Sequence, residues 1–174
     1  MAQFKVIMRL QFIFIYVLIA TVSSAIARTS LQKFDKSAFY TAMASGDIET
    51  VNKELDVVSQ APINDKEGYE GALLMRKAGL VKKPKDKLSF FKTGRIKLET
   101  ALLADNGNIE FHFLRLAIEE HAPKIVKYKK DIPGDKLLVI KHFKSLASPV
   151  QHAILDYCKN SKVLSKEDLT LPGE

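Results

Sequence analysis

Four histidines and one cysteine are the residues of this chain best suited to proton transfer, metal ligation or nucleophilic attack. His112, His121, His142 and His152 form no H-E-x-x-H pair, and none stands at a zinc-site spacing from Cys158. Glu119-Glu120-His121 sets two carboxylates beside an imidazole, a group that could move a proton or hold a metal. The same triplet falls at a predicted helix end, where a histidine balances the helix dipole. His112 lies in an apolar helix, the usual setting of a hydrogen-bonded core histidine. Cys158 has no partner for an intrachain disulfide. It is either a reactive thiol or a small buried side chain beside Tyr157. G-x-S-x-G, a glycine-rich phosphate loop and C-x-x-C do not occur in the sequence. An enzyme built on Glu120 and His121 is therefore the third of three functional readings. No catalytic residue, metal site or cofactor is expected.

Basic residues are the more distinctive chemistry. The 174 residues carry a formal charge of +7. Nine cations lie between Arg76 and Lys97 against the single acid Asp86, and seven lysines between Lys124 and Lys144 against Asp131 and Asp135. Such density attracts an acidic partner, an anionic glycan or a membrane surface, and it also describes an ordinary solvated lysine face. The candidate contacts are Lys82, Lys83, Lys85, Lys92, Arg95, Lys129 and Lys130. Nucleic acid is not expected as a partner, because no reading motif accompanies the charge.

The elements that would position these groups are helices. Lys5 and Arg9 precede the apolar run Leu10 to Val22, and Ala25-Ile26-Ala27 follows. That order reads as a secretory signal over residues 1–27, cleaved after Ala27, and predicts a periplasmic or secreted protein. No later run is long enough to span a membrane. A flexible segment 28–34, one helical domain 35–164 and a tail 165–174 are expected beyond it. Apolar spacing of three and four predicts seven helices joined by short links, hence antiparallel neighbours in an all-α domain. They are placed at Lys36–Ala44, Ile48–Val58, Gly68–Leu80, Lys85–Leu103, Ile109–His121, Asp135–Leu146 and a last one opened by Ser148-Pro149. Gly46 is expected to close the first in a left-handed conformation, Pro62 to stop the second, Gly79 the third, and Asp135 to cap the sixth. The fifth is apolar on two faces, with Phe111, Leu114 and Ile118 on one and Phe113, Leu116 and Ala117 on the other. Such a helix belongs at the centre of the fold.

Residues 85–121 resemble a tetratricopeptide hairpin. Gly94, Leu98 and Ala101 match the small, large and alanine positions of that family's second helix. Asp105-Asn106-Gly107-Asn108 stands at its turn, and Phe111, Leu114 and Ile118 at the bulky positions of the next helix. Asn106 departs from the family's proline and Arg115 from its small residue, and no second copy follows at the ~34-residue period. A weaker ankyrin-like echo covers residues 38–55 through Ala44, Gly46, Asp47, Ile48 and Val51. The resemblance implies a scaffold that holds other proteins. The leading expectation is accordingly a non-catalytic exported module that binds another protein of the cell envelope. The alternative is a binder of a small ligand or polyanion through its lysine-rich faces.

Overall fold

Asp35 opens the first helix by accepting the Ala38 N–H at 2.9 Å, so an orphan donor of the first turn is satisfied. The structure, a computed structural model, describes residues 33–61 and 65–170. Among them are α1 (Lys36–Ala44), α2 (Ile48–Gln60), α3 (Lys66–Leu80), α4 (Pro84–Ala104), α5 (Ile109–His121), α6 (Ile132–His142) and α7 (Ser148–Cys158). Three short 3-10 turns, Lys124–Val126, Phe143–Ser145 and Asp168–Thr170, complete the order. The described residues contain no strand, and the fold is all-α. Asp47 starts α2 through the Glu49 and Thr50 amides, and Pro84 takes the first turn of α4, where its missing N–H is not needed. Asn108 caps α5 by accepting from Phe111 N at 3.2 Å.

Several boundaries fall elsewhere than the sequence suggests. Ser45, in extended conformation, closes α1, and no described glycine has a positive φ, so Gly46 does not act as a left-handed stop. Gly79 is helical and lies inside α3. The sixth helix begins at Ile132, three residues before Asp135, with Pro133 in its first turn. Asp135 is thereby carried from the expected cap position into the interior, where it is 1% exposed. α7 is preceded by Ala147, and no side-chain cap bond forms there. Residues 1–27, the site after Ala27 and Pro62 lie outside the described residues. Phe34 sets its ring 4.8 Å from that of Tyr69, and Leu164 and Leu169 are buried.

Two apolar cores meet at α5. Phe111 and Leu114 belong to the core built with α1 to α4, while Phe113 and Leu116 belong to the core closed by α6, α7 and Leu164. The central helix is thus buried on both of the faces that its sequence makes apolar. The most extensive helix contact among the described residues is that of α3 with α4, rather than α4 with α5. Gly71 and Gly94 face each other at that crossing. A methyl group on Gly94 would sit 2.5 Å from Gly71 O and 2.9 Å from Met75 N, and one on Gly71 2.6 Å from Leu98 N. Backbone cannot yield as a flexible side chain can, so only glycine permits this approach. Replacing Gly94 by alanine should lower stability by about 1–3 kcal/mol. Alanine at Gly79, which is helical with open space around its Cα, should raise it by about 0.4–1 kcal/mol. Thermal unfolding of the two variants checks the opposite signs.

Candidate functional site

The histidine and acids that promised chemistry are held in structural bonds. His112 Nδ1 donates to Asp135 Oδ1 at 2.6 Å and its Nε2 to the Asn106 carbonyl at 2.9 Å. Both partners only accept, so the imidazolium, with a proton on each ring nitrogen, is the form that satisfies both. Arg115 grips the same carboxylate with two bonds, Nε to Oδ2 at 2.8 Å and Nη2 to Oδ1 at 2.7 Å, and reaches Glu99 with Nη1 at 3.1 Å. Tyr128 donates to the other Glu99 oxygen at 2.6 Å. The Asp135 hydrogen bond raises the His112 pKa against the opposing effect of burial. Burial would raise Asp135 itself, but Arg115 and His112 together hold it below the ordinary carboxylate value.

Glu119-Glu120-His121 is divided among three tasks. Glu119, fully buried, accepts the Asp131 N–H at 3.1 Å, and burial raises its pKa. Burial also acts to raise Glu120, yet bonds from Tyr157, Ser161 and the Lys162 amide win and lower it. His121 donates Nδ1–H to Ala117 O at 2.9 Å, within its own helix. Cys158 is half-buried, and burial raises its thiol pKa, the opposite of an activated nucleophile. His142 and His152 lie on α6 and α7, outside these bonds.

Beside this network lies a half-open groove of about 1030 Å³ between α3, α4 and the carboxyl end of α5. Met43, Met75, Phe91, Ile118 and Val126 make its walls apolar. Arg76, Lys87, Lys92 and Arg95 line it too, with His121, and no carboxylate does. Among the described residues none of those four cations forms an ion pair. Arg76 is oriented by the Ser45 carbonyl, and Arg95 lies 4.7 Å from the centre of the Tyr128 ring. Two of the charges are thus held by fixed contacts.

Of the lysines and arginine singled out in the sequence, Lys92 and Arg95 line the groove. Lys82, Lys83 and Lys85 are exposed on the connector and first turn of α4, flanking the groove residues Pro84 and Lys87. Lys129 donates to Glu120 O, and Lys130 is 3.9 Å from Asp131, so those two serve the α5–α6 connector. Arg76 and Lys87 were not singled out. For Lys87 the signal was the register of α4, in which Lys87, Leu88, Phe91, Lys92 and Arg95 fall on one face at steps of three and four. Arg76 could not be read this way, because it comes from another helix.

The pH dependence of folding follows from these shifts. His112 keeps its proton more tightly when folded, so its contribution is complete below 6.5, the ordinary imidazole value, and is lost as pH rises through the folded pKa. Glu119 acts in the same direction, costing stability as pH climbs above 4.5. Asp135 contributes above 3.8 and is lost as pH falls through its lower folded pKa. Urea unfolding should therefore show greatest stability in mildly acid solution. His112→Gln should flatten the decline above pH 6.5, and Asp135→Asn, which takes the buried anion from between Arg115 and His112, should cost about 3–5 kcal/mol.

Compared with known proteins, the chain matches no family model, no curated protein and no solved structure.

Proposed function

We propose that the protein is an exported, non-catalytic binding module whose groove holds an anionic amphiphile, a molecule with an apolar body and a negatively charged head. The observation that carries this reading is the groove's lining: apolar walls, four cations and no carboxylate. Its volume is at the upper end of the ~300–1,000 Å³ usual for small-ligand sites. Apolar walls bury the body of such a ligand at about 25 cal/mol per Å². The cations recognise its head, and Arg76 and Arg95 are already held in place for it. The non-catalytic part is supported by the engagement of His112, Glu119 and Glu120 in bonds that fasten α5 to its neighbours. Export is supported by the order of charge, apolar run and small residues before Arg28.

A fluorescent long-chain carboxylate and the uncharged alcohol of equal chain length test the reading by titration. The carboxylate should bind about tenfold more tightly, equal to ~1.4 kcal/mol, and lose that advantage as salt rises. Lys87→Glu with Lys92→Glu should abolish the preference, while Leu88→Asp, at a half-exposed groove residue, should weaken both probes. Equal binding of the two probes by the native protein would overturn the reading. So would failure of both, with one envelope protein retained through high-salt washing; that result would point to a groove for a polypeptide.

A further inference from the structure

The groove has two apolar tips at its mouth. Ile125 is 87% exposed on the 3-10 turn Lys124–Val126, and Leu88 is 48% exposed on the first turns of α4. Both line the groove. Lys127 ends the turn in the left-handed region, at φ 47°, a conformation that costs a side-chain-bearing residue on the order of 1 kcal/mol. Local backbone preference therefore opposes this turn, which displays Ile125 to solvent. Next to Ile125 in the chain are the exposed lysines Lys124 and Lys127, and next to Leu88 are Lys85, Lys87 and Lys92. The only acid within either stretch, 82–97 or 124–130, is Asp86.

We infer that this mouth is a docking surface for an anionic lipid bilayer. Isolated apolar tips set among lysines suit such a surface: the tips enter the acyl boundary while the ammonium groups meet anionic headgroups. A protein partner is the less fitting occupant. Protein contact surfaces are enriched in tyrosine, tryptophan and arginine and depleted in lysine, whereas the surroundings of these two tips are lysines. Docking in this orientation turns the groove opening toward the bilayer, so an anionic amphiphile could pass between lipid and groove without crossing water. The inference rests on the groove reading for this exchange, and on Ile125, Leu88 and the lysines for the docking itself.

Flotation of the full chain with vesicles tests it. One set is phosphatidylcholine alone and the other phosphatidylcholine mixed with phosphatidylglycerol. The apolar run Leu10 to Val22 and the cations Lys5 and Arg9 before it act alike in native and variant chains, so the change in vesicle preference between those chains is the readout. The protein should partition to the mixed vesicles at least about tenfold more strongly, and less so as salt rises. Lys124→Glu with Lys127→Glu should remove that preference while leaving titration by the soluble carboxylate probe unchanged, since neither lysine lines the groove. Ile125→Ser, at an exposed position with little effect on folding, should lower partition as well. Equal partition to the two vesicle sets, or an unaltered preference in the double-lysine variant, would overturn the docking surface even if the soluble probe binds. Loss of probe binding with vesicle preference intact would leave the docking surface standing and remove the groove reading.

Discussion

A helix buried on two sides has nowhere to put its polar residues except against partners, and α5 is such a helix. Glu110, His112, Arg115 and Glu119 occupy the strips between its two apolar faces, and Glu120 ends the face of Phe113, Leu116 and Ala117. Each leaves water, and each needs a compensating hydrogen bond or opposite charge. Lys36 and Tyr40 of α1 meet Glu110. Asp135 of α6 meets His112 and Arg115, Glu99 of α4 meets Arg115, and the segment 161–162 meets Glu120. The rest of the fold is thereby registered on one helix. Apolar contact alone would let neighbouring helices slide; these bonds have defined partners and geometry.

Two consequences follow from that arrangement. Removing Arg115 takes two hydrogen bonds from the buried Asp135 carboxylate, which makes the network more costly to break than it is favourable to form. Catalytic use of Glu120 or His112 would also require surrendering bonds on which the packing of α6, α7 or the carboxyl-terminal segment depends. The contact of α3 with α4 solves a different problem. There the two backbones meet through Gly71 and Gly94, and the close approach leaves the outer face of α4 free to form a wall of the groove.

Much of this was legible in the residues. The two apolar faces of α5 assigned from spacing are the two that the cores bury, because periodicity reports directly which side of a helix avoids water. The caps at Asp35 and Asp47 were legible for a similarly local reason. Gly94 could be read as a point of close approach, but not its partner: Gly71 lies in a helix that sequence adjacency does not select. Asp135 misled for an instructive reason. An acid just after Pro133-Gly134 has the form of a helix cap, yet burial with Arg115 and His112 draws it inward and starts the helix three residues earlier. Long-range ion pairs have no periodic signature. The groove was hidden by the same limit, since its cations come from α3 and α4 and only those on α4 share a visible register.

The placement of acids also explains why the groove is positive. Glu99, Glu110, Glu119, Glu120 and Asp135 are all turned toward internal partners, and Glu67 and Glu70 pair with Lys97 across the α3–α4 contact. These carboxylates neutralise charges in the scaffold, so they are not available to the rim. Because cations outnumber acids in the chain, the uncompensated charge has to appear at the surface, and Lys85, Lys87 and Lys92 are among the residues that carry it beside the groove. A cleft with low-dielectric walls focuses such a field more strongly than a flat face does. The internal demand of α5 for paired carboxylates and the positive character of the groove are therefore two sides of one charge distribution, and a change that freed an acid from the network would weaken the fold and the groove's field together.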